Sequence, residues 1–314
     1  MAILVEEMSR VLVQGITGAV GSSFAERMAG DGTPIVGGVA PHRQEGQVAR
    51  VPIFSSVERA VQQTAATASL VVVPAAAVGE AVIEAAMAGI RLISVYSEHV
   101  PVHDALAAIM TARAFGATVV GPNAAGIASP GIANMSDILS SGLTTGPAGV
   151  VSKSGTLTYE VISELRAAGV GVSTVACLGG DPVIGCSYTD LLPRFAVDPK
   201  TEIVVLIGEI GGLAEHEAAA VWKQLGSPKP LIAYVAGGAA PLAKRMGHAG
   251  AIVGSSAESA AAKSEALAAA GADVVETLSA LAPAAIAALA RVDGASADNS
   301  AAMAPEAREG SNGQ

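Results

Sequence analysis

The stretch that decides the fold is Val11-Leu12-Val13-Gln14-Gly15-Ile16-Thr17-Gly18-Ala19-Val20-Gly21, in which a short apolar run leads into a glycine-rich turn. Residues 22–29, which follow, have the composition of a helix. A strand, a glycine turn and a helix in this order present free backbone N–H groups to a phosphate. The stretch therefore predicts the first unit of an α/β fold with an anion site at the turn.

The glycine pattern by itself does not identify the ligand. Its spacing is GxxGxxG rather than GxGxxG, and the second predicted strand, residues 34–39, ends without an acidic residue. An NAD-binding unit usually places Asp or Glu there to bind the ribose hydroxyls. The pattern favours a nucleotide or CoA over NAD, and a tight turn with no ligand remains an alternative. Arg43, after the second strand, could meet a phosphate or could be a solvated surface residue.

Further runs of strand length alternate with helical stretches through both halves of the chain. They cover residues 68–73, 92–95, 118–120, 149–151, 172–176, 203–207, 231–235 and 273–275. This alternation predicts parallel sheets covered by helices. We expect a Rossmann-like domain at 1–128, a linker at 129–147, a flavodoxin-like domain at 148–291 and a disordered tail at 292–314.

Composition narrows the class of protein. The chain of 314 residues is 51% hydrophobic but only 3% aromatic, which suits buried parallel strands and Ala-rich helices. A net charge of -10 without a basic cluster argues against a nucleic-acid partner. We expect no transmembrane segment, and the acids near the N-terminus are unlike a signal peptide. The presence of only two cysteines indicates a reducing cytoplasm. Two cysteines are too few to form a zinc site within one chain, and we expect no bound metal.

The second half carries the candidate chemical groups. Ser152-Lys153-Ser154-Gly155-Thr156 is another small-residue turn that opens a helix, so it offers unpaired donors to an anion. His248 lies between small neighbours in Gly247-His248-Ala249-Gly250, where a bulky anion could approach closely. Glu209 ends an apolar strand and could orient an imidazole. A lone histidine is nevertheless more often structural than catalytic.

Together, these motifs resemble the alpha subunit of succinyl-CoA synthetase over residues 3 to 290. The matching segments are Gln14-Gly15-Ile16-Thr17-Gly18, Val36-Gly37-Gly38-Val39, Gly121-Pro122-Asn123, Ser152 to Glu160, Gly179-Gly180-Asp181-Pro182, Ile207 to Gly212, and Arg245-Met246-Gly247-His248-Ala249-Gly250. The resemblance implies a CoA-binding first domain and phosphorylation of His248 on a ring nitrogen. It also implies a beta subunit of ATP-grasp type that binds ATP or GTP with Mg²⁺.

The resemblance assigns a role to each matching residue. Glu209 would hydrogen-bond the imidazole of His248, and the amides of Ser154, Gly155 and Thr156 would hold the phosphoryl group. Tyr159 and Asn123 would meet the acid substrate. The implied CoA contacts are Thr17, Gly18, Ala19, Val20, Arg43, Ser97, Glu98 and His99.

Several residues depart from the family pattern. Val20 replaces a common Gln, Arg43 replaces Lys, and Ala124-Ala125 replaces Cys-Pro. Ser97-Glu98-His99-Val100 replaces a Thr-Glu-Gly-Ile pattern. Because these changes surround the CoA and acid sites, succinate is the first expectation and malate or another dicarboxylate the alternative. A non-catalytic CoA-binding paralogue and an NAD dehydrogenase are the readings from other classes.

Overall fold

The computed structural model of the protein describes residues 3–43, 46–238 and 251–302, with side chains described up to residue 294. His248 and its glycine-flanked turn lie outside the described residues. Within the described part, no helix is both long enough and apolar enough to cross a membrane.

The first half of the chain forms a seven-stranded sheet that is parallel except for its short edge strand. Its elements are β1 (Val11–Gln14), α1 (Ala19–Gly30), β2 (Ile35–Val39), β3 (Gln47–Val48), β4 (Val51–Phe54), α2 (Val57–Thr64), β5 (Ala68–Val71), α3 (Ala75–Met87), β6 (Leu92–Val95), α4 (Val102–Ala114) and β7 (Thr118–Val120). The strand order is β3-β4-β2-β1-β5-β6-β7. β1 therefore lies between β2 and β5, with the glycine turn at its carboxyl end.

The second half forms another seven-stranded sheet, in which five strands are parallel and a hairpin occupies one edge. Its elements are β8 (Gly126–Ser129), β9 (Ala133–Ser136), β10 (Thr145–Ser152), α5 (Gly155–Ala167), β11 (Val172–Cys177), α6 (Tyr188–Val197), β12 (Ile203–Glu209), α7 (Ala214–Gln224), β13 (Leu231–Ala236), α8 (Ala260–Ala269), β14 (Asp273–Val274) and α9 (Leu281–Ala302). The order is β14-β13-β12-β10-β11-β8-β9. The predicted α/β architecture of two mostly parallel sheets is confirmed.

Residues 129–147, predicted to be a linker, instead contain β9, the end of β8 and the start of β10, which are strands of the second sheet. β8 pairs antiparallel with β11, and β9 pairs antiparallel with β8. The polar residues that suggested a linker are buried and paired instead: the Ser129 hydroxyl lies 2.7 Å from that of Thr174, and Asn134 Nδ2 donates to the Ile138 carbonyl oxygen at 2.8 Å. Polar composition therefore concealed a hairpin whose side chains find hydrogen-bond partners inside the protein.

The last described helix extends into the segment expected to be a disordered tail. α9 runs from Leu281 to Ala302, so residues 292–302 are helical rather than irregular. Alanine has the highest helix propensity, and it recurs through this segment despite the intervening Gly, Asp and Asn. Residues 303–314 of the predicted tail lie outside the described residues.

The two cysteines and the tryptophan are buried. Cys177 and Cys186 are free thiols, and burial raises the pKa of each to about 12. A thiol with so high a pKa contains little of the reactive thiolate at neutral pH. Trp222 is fully buried in the hydrophobic core of the second half.

Gly21 fixes the distance between α1 and the turn that precedes it. A Cβ at this position would overlap the carbonyl oxygen of Gly15 and lie 2.9 Å from Ile16 Cα. We expect Gly21→Ala to lower the free energy of unfolding by about 1–3 kcal/mol, because backbone atoms cannot yield as a flexible side chain can. Thermal unfolding measures this effect. Gly30→Ala in the same helix is the matched control, since a Cβ there meets nothing within 4 Å. An equal loss of stability in both variants would contradict the packing argument.

Candidate functional site

A cleft of about 660 Å³ opens where the two halves of the chain meet. Its walls come from the turn after β1, the ends of β5, β6 and β7, and the first turn of α5. The carboxyl ends of parallel strands and the N-termini of three helices, α1, α3 and α5, therefore share one cavity. Such an edge is where open α/β sheets bind ligands.

Five of the eight predicted CoA contacts line this cleft. They are Gly18, Ala19, Val20, Ser97 and Glu98. α1 begins at Ala19 after the N-cap Gly18, and no side chain caps its first turn. In the described part of the chain, the amides of Ala19 and Val20 donate to no other group. They are available to a phosphate, as expected for a helix N-terminus at an anion site.

The other three predicted CoA contacts lie outside the lining of the cleft. Thr17 is exposed in the glycine turn, directly before Gly18. Arg43 is exposed beyond the carboxyl end of β2. His99 is exposed, with a positive φ of 60°, and its ring faces the Glu98 carboxylate at 3.8 Å. The cleft lining thus includes residues 18–20 of the glycine turn and the Ser97-Glu98 segment but not these three residues.

The first turn of α5 forms the opposite wall. Ser154 is its N-cap, and the Ser154 hydroxyl accepts a hydrogen bond from the Leu157 amide at 3.3 Å. Gly155 and Thr156 line the cleft, and within the described residues their amides donate to no other group. The Ser154 amide differs from the expectation, because it donates to Ser152 Oγ at 3.0 Å. Two of the three predicted phosphate-binding amides are therefore available, and the third stabilises the turn.

Glu209 lies at the same edge of the second sheet as this turn. It is the last residue of β12, and Ile207, two residues earlier, pairs with Ser152 of β10. The Lys153 amide also donates to the Ile207 carbonyl oxygen at 3.3 Å. Glu209 and the Ser154 turn thus follow paired positions on adjacent strands. The predicted contact between Glu209 and His248 involves a residue outside the described ones.

The two predicted substrate contacts, Tyr159 and Asn123, also line the cleft. Asn123 Nδ2 donates to Asp181 Oδ1 at 3.1 Å, so this nitrogen is already engaged. Asp181 is buried and also accepts from the amides of His99 and Val100, at 3.3 and 3.1 Å. The Gly179-Gly180-Asp181-Pro182 motif of the second half therefore holds the cleft-lining loops of the first half in place.

Asp137, which was not among the residues predicted from the sequence, lines the cleft beside Tyr159. Burial raises the pKa of the Asp137 carboxyl, while the Tyr159 hydroxyl and the Arg27 guanidinium oppose the rise. Arg27 Nη1 donates to the Asp137 carbonyl oxygen at 3.1 Å and its guanidinium lies 4.6 Å from the Phe24 ring centroid. No sequence signal could have identified Asp137, because it lay in the supposed linker and its partners are more than 20 residues away.

Because burial disfavours the charged form of Asp137, we expect Asp137→Asn to raise the melting temperature at neutral pH. A carboxyl whose pKa is raised by folding contributes stability that is present below its unfolded pKa and is lost as pH rises through its folded pKa. The advantage of the variant should therefore shrink as pH falls towards about 4, near the ordinary pKa of aspartate. Thermal unfolding between acid and neutral pH measures the trend, with the exposed Asp293→Asn as control. An increase in melting temperature that is the same at acid and neutral pH would contradict this explanation.

Two mostly parallel sheets that share a cleft lined by helix N-termini define a two-part α/β protein with a ligand site between its halves, and family models give its class. Residues 6–99 match the CoA binding domain model and residues 151–275 match the CoA-ligase model. The chain is 45% identical over 278 residues to the succinate–CoA ligase [ADP-forming] subunit alpha 1 of Archaeoglobus fulgidus, covering 88% of this chain and 95% of that one. The chain therefore belongs to the family of succinate–CoA ligase alpha subunits.

Other relatives show how this family varies. The malate–CoA ligase subunit alpha of Methylorubrum extorquens is 42% identical, with 84% of this chain and 90% of that one covered. The ADP-forming sulfoacetate–CoA ligase subunit SauD of Bilophila wadsworthia is 39% identical, with coverages of 88% and 95%. ATP citrate lyase from Methanothrix soehngenii shares the fold, with a TM-score of 0.80 at 23% identity, over 91% of this chain and 51% of that one.

Proposed function

We propose that this chain is the alpha subunit of an acid–CoA ligase, with succinate as the first choice of acid. The enzyme joins a carboxylate to CoA at the expense of a nucleoside triphosphate, reversibly. The observation that carries the proposal is the shared cleft: amides of α1 and of α5 that have no partner among the described residues open into one cavity. CoA and a phosphoryl group can therefore be held close to each other.

The chemistry explains why both sites are needed. A carboxylate is a poor acyl donor until one of its oxygens becomes part of a phosphate leaving group. We propose that a ring nitrogen of His248 takes the γ-phosphoryl group of the nucleotide, with the nucleoside diphosphate as leaving group. A carboxylate oxygen of the acid then takes the phosphoryl group, and the free imidazole leaves. The CoA sulfur then attacks the acyl carbon of this acyl phosphate, and inorganic phosphate leaves. Neutral histidine suits the first step because it is nucleophilic near pH 7.

The residues at the cleft have distinct roles in this sequence of steps. The amides of Gly155 and Thr156 bind the phosphoryl oxygens, where the N-terminus of α5 adds a partial positive charge. Gly18, Ala19 and Val20 present their backbone to CoA, together with Ser97 and Glu98. Tyr159 and Asn123 border the acid. Glu209 hydrogen-bonds the His248 imidazole, which fixes its tautomer and stabilises the charge that develops.

The nucleotide requires a second chain in this proposal. The sequence contains no Walker lysine loop. The succinate–CoA and malate–CoA ligase relatives are named alpha subunits, which supports a beta partner. We assign ATP or GTP with Mg²⁺ to that beta subunit, of ATP-grasp type. The free buried thiols of Cys177 and Cys186 support a cytoplasmic location.

One structural feature of the cleft favours an acid other than succinate. Ala124 and Ala125 line the cleft where the family pattern has Cys-Pro, and a malate–CoA ligase subunit is among the relatives. Two small side chains leave more room than cysteine and proline, which favours an acid with an additional substituent. Malate is therefore the second candidate.

An acid panel decides between the two candidates. The complex with its cognate beta subunit is assayed for CoA-thioester formation with succinate, malate and sulfoacetate, with acid omitted as the control. We expect the highest kcat/KM for succinate. Absent turnover of succinate beside good turnover of malate would replace succinate as the substrate, and no thioester with any acid would contradict the ligase proposal.

A further inference from the structure

A buried ion pair lies directly beneath the loop that carries Glu209. Lys263 of α8 and Glu215 of α7 are both fully buried, and the ammonium of Lys263 contacts the Glu215 carboxylate. Burial lowers the pKa of Lys263, and Glu215 opposes this change by stabilising the ammonium. Two charges removed from water need good geometry and further hydrogen bonds to compensate for their lost hydration. Their remaining partners therefore show what the pair holds in place.

Among the described residues, the other hydrogen bonds of the Lys263 ammonium go to the Glu209 loop. Lys263 Nζ donates to the carbonyl oxygens of Glu209 and Gly211, both at 2.7 Å. Glu215 Oε1 accepts a hydrogen bond from the Glu209 amide at 3.2 Å. One ion pair thus binds both the N–H and the C=O of Glu209. These two hydrogen bonds fix the position of the Glu209 backbone, from which the carboxylate side chain extends.

The same carboxylate also reaches the phosphate-binding turn. Lys153, which directly precedes Ser154, has its Nζ 3.7 Å from Glu215 Oε1. Gly208 leaves the space that Glu215 needs, because a Cβ there would lie 2.7 Å from Glu215 Cγ. Glu215 therefore lies between the Glu209 loop and the Ser152–Thr156 turn and contacts residues of both.

We propose that Glu215 and Lys263 are positioning residues for phosphoryl transfer, which set the Glu209 carboxylate and the Gly155–Thr156 amides at a fixed separation. This inference rests on the proposed function, since it assumes that these two elements act on the same phosphoryl group. Neither residue touches a reactant. Their effect is on the rate of phosphorylation, not on the binding of CoA in the first half of the chain.

The pair can be tested by replacing both charges at once. Replacing a buried ion pair by apolar residues of similar volume often preserves or increases stability, whereas removing one partner leaves an uncompensated charge. We therefore choose the double variant Glu215→Leu/Lys263→Met in complex with the beta subunit. Its rate of phosphorylation by labelled nucleoside triphosphate is measured in a single turnover, together with melting temperature, KM for CoA and kcat.

We expect the double variant to phosphorylate at least about 10-fold more slowly, to show a correspondingly lower kcat and to keep the KM for CoA of the wild type, because a small misplacement of a catalytic group has a large kinetic cost. Asp273→Asn, which removes the partly exposed Arg291–Asp273 pair in the same half, is the control and should change none of these quantities. A folded double variant that phosphorylates at the wild-type rate would overturn the inference.

A second variant keeps the test decisive if the double variant does not fold. Lys153→Met removes only the ammonium nearest the surface of this cluster, since 14% of the Lys153 side chain is exposed. It should slow phosphorylation with little change in melting temperature, and an unchanged rate would overturn the inference. If the wild-type complex takes up no phosphate, the proposed function itself fails, and this inference fails with it.

Discussion

Replacing Gly155 by proline is expected to slow phosphorylation of His248 by about 10²- to 10³-fold, the usual cost of removing one preorganised hydrogen-bond donor. Gly155 is the first residue of α5, a position where proline fits the helix and where the lost N–H has no partner in the helix. Ser154 has extended backbone angles, φ -102° and ψ 121°, which a following proline also favours. The substitution therefore removes the amide proton while preserving the helix.

Gly155→Ala provides the matched control. It keeps the amide and adds only a Cβ, which would lie 3.2 Å from the Ala125 Cβ and requires a small adjustment. Single-turnover labelling with the beta subunit present should give a rate within a few-fold of the wild type for Gly155→Ala, since its donor is intact. Equal losses in the two variants would indicate a steric effect and would remove the role assigned to the amide.

Glu209→Gln is expected to slow phosphorylation by about 10²-fold, in the range of effects for groups that assist proton transfer and charge development. Glutamine preserves the size of the side chain and one acceptor oxygen but not the negative charge that stabilises a positively charged phosphoimidazole. The Glu209 backbone is held by Glu215 and Lys263, so the change should not displace the loop.

Glu217→Gln is the control for this charge, since Glu217 is an exposed acid on the first turn of α7. Both variants are compared by the rate of phosphorylation and by KM for CoA. A wild-type rate in Glu209→Gln would show that the carboxylate does not support the imidazole. A raised KM for CoA with an unchanged rate would place Glu209 in CoA binding instead.

The parallel strands could be predicted well because their signal is local. The predicted strands at residues 92–95 and 118–120 coincide with β6 and β7, and β1 covers the opening stretch Val11–Gln14. Buried parallel strands are continuous apolar runs that need no partner to be recognised. Gly18 and Gly155, which lie on the two small-residue turns noted in the sequence, both line the cleft.

The parts that sequence analysis missed depend on contacts between distant residues. The β8–β9 hairpin contains buried Asn134 and Ser136, whose polarity is typical of a loop until their hydrogen bonds are known. Asp181 joins the two halves through residues 58 or more positions away. Lys263 and Glu215 lie on different helices and are separated by 48 residues in the sequence. No periodicity in the chain encodes such pairings.

The central claim is that His248 carries the phosphoryl group between the nucleotide and the acid. The measurement that tests it most directly is incubation of the alpha–beta complex with γ-labelled nucleoside triphosphate, followed by mapping of the acid-labile phosphate. We predict label on His248 that is discharged by adding acid substrate and CoA together, and no label in His248→Asn. Full thioester formation by His248→Asn, or label at another residue, would contradict the account.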